Sequence, residues 1–206
     1  MNREKLILAQ KSFLNRYPEG FDSPEMMEIG KKHKLAKMTK MAREGLAPES
    51  FDDTDAVLET MRKIVSSSSM VSVFEKPKFR DLLKDLSAGE SAELADGLKN
   101  ALHGDQEKGF RQMISVLLPF KLAKWTLLTV CLVYYRPDEE VFIKPTTVKN
   151  VITHFELEGL KYSPTASFEF YNLYREQINQ MKSMVDERLK VDNAAFSGFL
   201  MMSLGG

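Results

Sequence analysis

Cysteine is almost absent from this chain: Cys131 is the only one in 206 residues. That excludes an intramolecular disulfide and any cysteine-based metal cluster. Val130, Leu132 and Val133 surround Cys131 with apolar side chains, so the thiol reads as a small core filler. A nucleophilic thiol would want an electropositive, accessible setting. Net charge is also missing, since Lys+Arg and Asp+Glu total 29 each. No global field draws a polyanion, although a local patch still can, and low net charge permits self-association. Long apolar runs are lacking as well. The most apolar stretch, Ile114 to Tyr135, is interrupted by Pro119, Lys121 and Lys124. Its uninterrupted part falls well short of the roughly 20 residues a membrane-spanning helix needs.

The start, Met1-Asn-Arg-Glu-Lys5, leads into an amphipathic segment and not into the apolar region of a signal peptide. A cytoplasmic protein without a membrane partner is expected. Histidine is scarce, and His33, His103 and His154 lie far apart with no second ligand at metal spacing. A glycine-rich phosphate loop, a nucleophile elbow and a dinucleotide fingerprint are all lacking. No metal and no cofactor is expected, which argues mildly against the common enzyme classes.

What the chain does contain is helical periodicity. With 43% hydrophobic and 28% charged residues it has an ordinary globular composition. Leu6, Ile7, Phe13 and Leu14 mark a first amphipathic helix. Asp22-Ser23-Pro24-Glu25 is a helix-start signal, and the helix it opens is predicted to run to about Glu44 with Gly45 as its cap. Val57, Leu58, Met61, Ile64 and Val65 form another stripe, broken by Ser66 to Ser69. Phe79, Leu82, Leu83 and Leu86 predict a short helix after Pro77. Leu94 to Leu102 predict the next, capped by Ser91 and ended at His103-Gly104. Trp125 to Tyr135 suits either a strand or a helix buried on all sides, and helix is favoured on length. Thr146 or Thr147 opens a further helix to about Gly159. Phe168, Tyr171, Tyr174, Ile178, Met181, Val185 and Leu189 give the clearest amphipathic pattern, over one long helix. Phe196, Phe199, Leu200 and Leu204 close the chain.

Candidate sites are few, and each has a structural alternative. Lys31, Lys32, Lys34, Lys37, Lys40 and Arg43 form a basic stripe on the second helix, with His33 among them, that could track phosphates. No aromatic residue is interleaved to stack bases, so nucleic acid is not favoured over a solvated face balanced by the acidic segment at 49–55. Phe74 to Asp81 brings Glu75, Lys76, Lys78, Arg80 and Asp81 to a helix start beside two aromatics, where backbone N–H groups favour anions; local ion pairs are the alternative. The exit from the apolar block, Arg136-Pro-Asp-Glu-Glu-Val-Phe-Ile-Lys-Pro145, superficially suggests a nuclease signature. Its acids and lysine crowd one short turn, whereas metal-dependent cleavage draws them from separate strands. Lys144 remains as an ion-pair or anion-binding residue, and His103 reads as a helix C-terminal cation.

Several of these groups together are similar to an uncharacterised bacterial protein family. They are Phe13 to Asp22, Phe74-Glu75-Lys76 to Arg80-Asp81, Gly97-Leu98 to Leu102-His103-Gly104, Phe142-Ile-Lys-Pro145 with Val148, and Phe196-Ser-Gly-Phe199. The resemblance implies a bacterial, cytoplasmic, single-domain protein and brings no activity, cofactor or catalytic residue. It marks Asp22, Glu75, Lys76, Arg80, Asp81, His103 and Lys144 as polar positions outside the obvious core.

The fold expected is mainly α: an irregular multi-helix bundle around a buried central helix at about 121–135, with at most a short extended segment near 141–143. One domain spans 1–206, and residues 1–70 form a looser N-terminal helical arm. The function expected is a non-enzymatic binding or interaction module, with a protein partner or self-association. The alternative is an enzyme whose polar pocket is built from Glu75, Arg80, Asp81, His103 and Lys144.

Overall fold

The computed structural model describes residues 1–205. Its centre is the helix with the least need of water. Trp125–Tyr135 has ten of its eleven residues buried, from Trp125 to Tyr134. A helix this apolar on every side is stable only when other helices enclose it.

Eleven α-helices occur among the described residues, and no strand. They are α1 (Arg3–Arg16), α2 (Pro24–His33), α3 (Leu35–Gly45), α4 (Thr54–Ser67), α5 (Glu75–Asp85), α6 (Ala88–His103), α7 (Gln106–Leu117), α8 (Trp125–Tyr135), α9 (Pro145–His154), α10 (Phe168–Ser183) and α11 (Asn193–Met202). The fold is a multi-helix bundle, and α8 is its central helix. One buried cluster draws on α1 (Leu6, Phe13), α4 (Val57, Ile64), α7 (Phe110), α10 (Tyr171, Ile178) and α11 (Phe196, Phe199). α6 and α7 form the closest helix pair. A Cβ on Gly109 would overlap the backbone of Gly97 and Ala101, so only glycine lets α7 approach α6 there.

Several boundaries differ from the sequence expectation, each for a physical reason. The second predicted helix is two. Lys34 adopts a left-handed conformation at φ +50°, ending α2 and starting α3. The break lets Met26 bury on one axis while Met38 and Ala42 bury on another. α4 continues through Ser66 and Ser67, and the chain leaves the helix at Ser68, whose buried hydroxyl bonds the Tyr134 hydroxyl at 2.9 Å. α5 begins at Glu75, with Pro77 inside its first turn, where a missing N–H leaves no hydrogen bond unmade. The cap of α6 is Ser87, not Ser91. Ser87 and Glu90 form a reciprocal capping box, with the Glu90 carboxylate accepting from the Ser87 backbone N–H at 2.9 Å.

The apolar block is a helix end, a turn through Lys121 at φ +60°, and then α8, which begins four residues later than expected at 125. α9 stops at His154, where a turn through Glu156 at φ +53° begins. The long helix stops at Ser183, and a separate 3-10 turn carries Leu189. Val141 to Ile143 makes no ladder. It is buried, and the Thr129 side chain on α8 accepts from the Ile143 N–H at 3.1 Å.

Candidate functional site

The exit from α8 gathers the densest polar contacts in the protein. Glu140 is almost wholly buried, and its carboxylate accepts from the Tyr171 hydroxyl at 2.5 Å, Gln106 Nε2 at 2.8 Å and Arg175 Nη1 at 3.1 Å. Tyr171 and Arg175 are four residues apart on α10, so one helix face supplies both. The carbonyls of the turn are also engaged. Pro137 O accepts from the Asn193 N–H, Asp138 O from Lys182 Nζ, Glu139 O from Asn179 Nδ2 and Glu140 O from Asn193 Nδ2. Arg136 donates to Leu102 O and Arg43 to Tyr135 O. A buried carboxylate with this many donors is held by structure and offers no lone pair to a substrate. The polar exit is therefore an anchor joining α7, α8, α10 and α11.

Beyond the anchor, the chain runs through Phe142 and Ile143 to Lys144, which borders two cavities. The first, about 280 Å³, is an apolar groove between α2 and α11. Its floor includes Tyr134 and Phe142. Met26, Ile29 and Gly30 line it from α2, and Ala195, Gly198 and Met201 from α11. His33, Ser69, Lys144 and Asp192 supply its polar edges, and His33 Nδ1 lies 2.8 Å from Ser69 Oγ. Asp192 caps α11 by accepting from the Ala195 N–H at 2.9 Å, and burial pushes its carboxyl above the usual range. The second cavity, about 610 Å³, lies between the starts of α5, α8 and α9 and is lined by Glu75, Lys124, Trp125, Thr126, Lys144 and Tyr162. Ser69, Met70 and Lys144 border both.

Two of the three helical glycines with open space at the Cβ position line the groove; the third, Gly89, lies in the first turn of α6. Gly30 and Gly198 lie inside α2 and α11, and a Cβ built on either meets nothing within 4 Å. Neither has a left-handed backbone, so conformation does not demand glycine at either position. Helix-interior glycine costs about 0.8–1 kcal/mol relative to alanine. Packing offsets such a cost at Gly109, but not at these two.

The positions singled out by sequence separate. Glu75 and Lys144 line one cavity, and Glu75 Oε2 accepts from Thr126 Oγ1 at 2.7 Å. Arg80 and Asp81 are exposed and pair with each other at 2.9 Å. That exposed pairing holds the Asp81 carboxyl below its ordinary range. His103 sits between Phe51 and Tyr135, with Nε2 2.8 Å from Leu46 O. The five-residue pocket of Glu75, Arg80, Asp81, His103 and Lys144 is therefore not assembled. Lys76 is half-buried beside Glu75 on α5, and Asp22 is exposed on the turn whose Phe21 lines the groove.

The basic stripe is divided by the break at Lys34. Lys31 pairs with Glu28 at 2.5 Å and Lys40 with Glu44 at 3.7 Å, so helix neighbours balance these two, not the segment at 49–55. Lys32, Lys34 and Lys37 are exposed, and Arg43 serves the Tyr135 carbonyl. Cys131 is buried, and burial pushes its thiol up to about 12. No helix among the described residues is long and apolar enough to cross a membrane. No family model, curated protein or solved structure matches the chain.

Proposed function

We propose that this protein is a non-enzymatic binding module whose ligand places an apolar portion in the groove between α2 and α11. The observation that carries this reading is the pair of interior glycines lining the groove, whose missing side chains leave space that no packing requires. Each weakens its own helix. A local choice that works against the fold without a packing return is expected where a ligand must approach backbone closely. Predominantly apolar walls with a few polar edges match the general character of small-molecule sites. The best-satisfied polar groups, by contrast, serve the anchor at Glu140, which supports binding over catalysis.

The test is titration with Nile red, a neutral apolar dye, followed by fluorescence. The native chain should bind it, and Gly198→Leu and Gly30→Leu should each weaken binding about tenfold, equal to about 1.4 kcal/mol. Circular dichroism and thermal melting should show both variants folded. Unchanged dye affinity in both variants, or no binding by the native chain, would overturn the proposal.

A further inference from the structure

The two helical walls of the groove are held very differently. α11 buries Asn193, Phe196, Phe199 and Leu200. α2 buries Met26 alone, and its other nine residues are exposed. Every other α-helix among the described residues buries at least two. Polar ties are as sparse. The Lys31–Glu28 pair lies within α2, and the contact of His33 Nδ1 with Ser69 Oγ at 2.8 Å is the one side-chain hydrogen bond that joins α2 to the rest of the described chain. Both ends of α2 are unsettled. Lys34 leaves it at φ +50°, which a side chain rarely adopts. Ser23 is a favoured N-cap residue, yet it makes no cap bond, and its buried hydroxyl finds no partner. Across the groove, Ile29 on α2 faces Met201 and Met202 on α11, and all three are apolar and exposed.

We infer that α2 is a lid on the groove, pivoting as a unit on Ser23 and Lys34 to admit the apolar ligand and closing over it so that Ile29, Met201 and Met202 become buried. This rests on the groove reading above and adds how the groove opens and closes. A helix with one buried side chain can leave the body while the core stays folded. The unmade cap bond and the left-handed lysine both penalise the observed position, so each lowers the cost of leaving it. Such pivots are expected at the terminal residues of an element. The His33–Ser69 contact is the tie that holds α2 in place, and α11 is the fixed side against which it closes.

The test is amide hydrogen exchange of the full chain read by mass spectrometry, with Nile red as the probe. Without dye, the amides of residues 28–33 should exchange at least about a hundredfold faster than those of α8, through an opening that leaves the core protected. Nile red at about 100 times its Kd should slow them by up to about a hundredfold. Ser69→Ala removes the tie and should speed both their exchange and the release of dye, followed by stopped-flow dilution, by about threefold or more. Retained protection of α8 shows that this variant is folded. Exchange of α2 at the rate of α8, bound dye that leaves α2 exchange unchanged, or unaltered dye release in Ser69→Ala would overturn the lid and leave the groove reading standing. Failure of the native chain to bind the dye would remove both.

Discussion

Replacing Gly30 and Gly198 by alanine should make the protein more stable and its groove worse. Gly30 lies in the second half of α2 and Gly198 in the middle of α11, and a Cβ at either meets no atom within 4 Å. The gain is therefore the helix-propensity difference alone, about 0.8–1 kcal/mol per site. The sites are on different helices, so the double variant should gain roughly 2 kcal/mol if the effects add. At this chain length that raises the melting temperature by about 4–8 °C. Urea denaturation read by the fluorescence of Trp125, the single tryptophan, should show a later midpoint and an unchanged slope. Gly109→Ala is the contrast, because its Cβ would overlap the backbone of α6. It should lose stability by about 1–3 kcal/mol or more, the usual result of overpacking. Loss of stability in Gly30→Ala or Gly198→Ala would refute the reasoning, since the added carbon would then be meeting something and glycine would be there for packing.

Arg175→Met leaves the Glu140 carboxylate buried without its cation and should cost about 3–5 kcal/mol in urea unfolding, whereas a loss below about 1 kcal/mol would mean the pair is not acting as a buried one. Cys131, with its thiol raised to about 12 by burial, should resist a thiol-reactive disulfide reagent at mildly alkaline pH in the native protein and react fully in denaturant; fast native labelling would contradict its placement. The Arg62 guanidinium holds the partly exposed Glu59 carboxyl down at about 2 from an ordinary 4.5. Its contribution is fully present above the ordinary value and lost as pH falls toward the folded one. Glu59→Gln should therefore flatten the acid limb of a plot of melting temperature against pH, modestly and less in high salt; an unchanged limb would show that the pair contributes nothing.

The elements that sequence could reveal are those whose signal is local. The buried stripe Val57, Leu58, Met61, Ile64 and Val65 lies on one face of α4, and Phe196, Phe199 and Leu200 dock as expected. Ser87-Ala-Gly-Glu90 is also local, a capping box plain in the sequence, and Ser91 lies one turn too far along. The break at Lys34 had no such signal. Lysine is not a residue that favours φ +50°, which costs roughly 1–2 kcal/mol, so tertiary packing of Met26, Met38 and Ala42 decides it.

The site divides in the same way. That the exit of α8 would be densely polar was legible from the abrupt change at Arg136. That Glu140, and not Asp138 or Glu139, would be buried depends on Gln106, Tyr171 and Arg175, distant in sequence. Lys144 and Glu75 were legible as isolated polar positions, while His103 and the Arg80–Asp81 pair were drawn away by neighbours no local pattern names. The two glycines were open to sequence reading, since glycine inside a helical pattern costs stability and asks for a packing or functional reason. Only coordinates distinguish Gly109, which packs, from Gly30 and Gly198, which do not.

The anchor and the site are one argument in two parts. Between Glu140, locked by α7 and α10, and Lys144 at the start of α9 there are only three residues, Val141, Phe142 and Ile143, all buried. The middle one lines the groove, and the last is tied to α8 through Thr129. A segment fixed at both ends and in the middle has little freedom, so Phe142 and Lys144 are presented from a rigid base. Sites built on such supports hold their geometry better than sites on free loops. The buried ion pair at Glu140, a weak contributor to stability in general, is then best understood through what it positions. It sets the register of the segment that carries one wall of the groove and the lysine shared by both cavities.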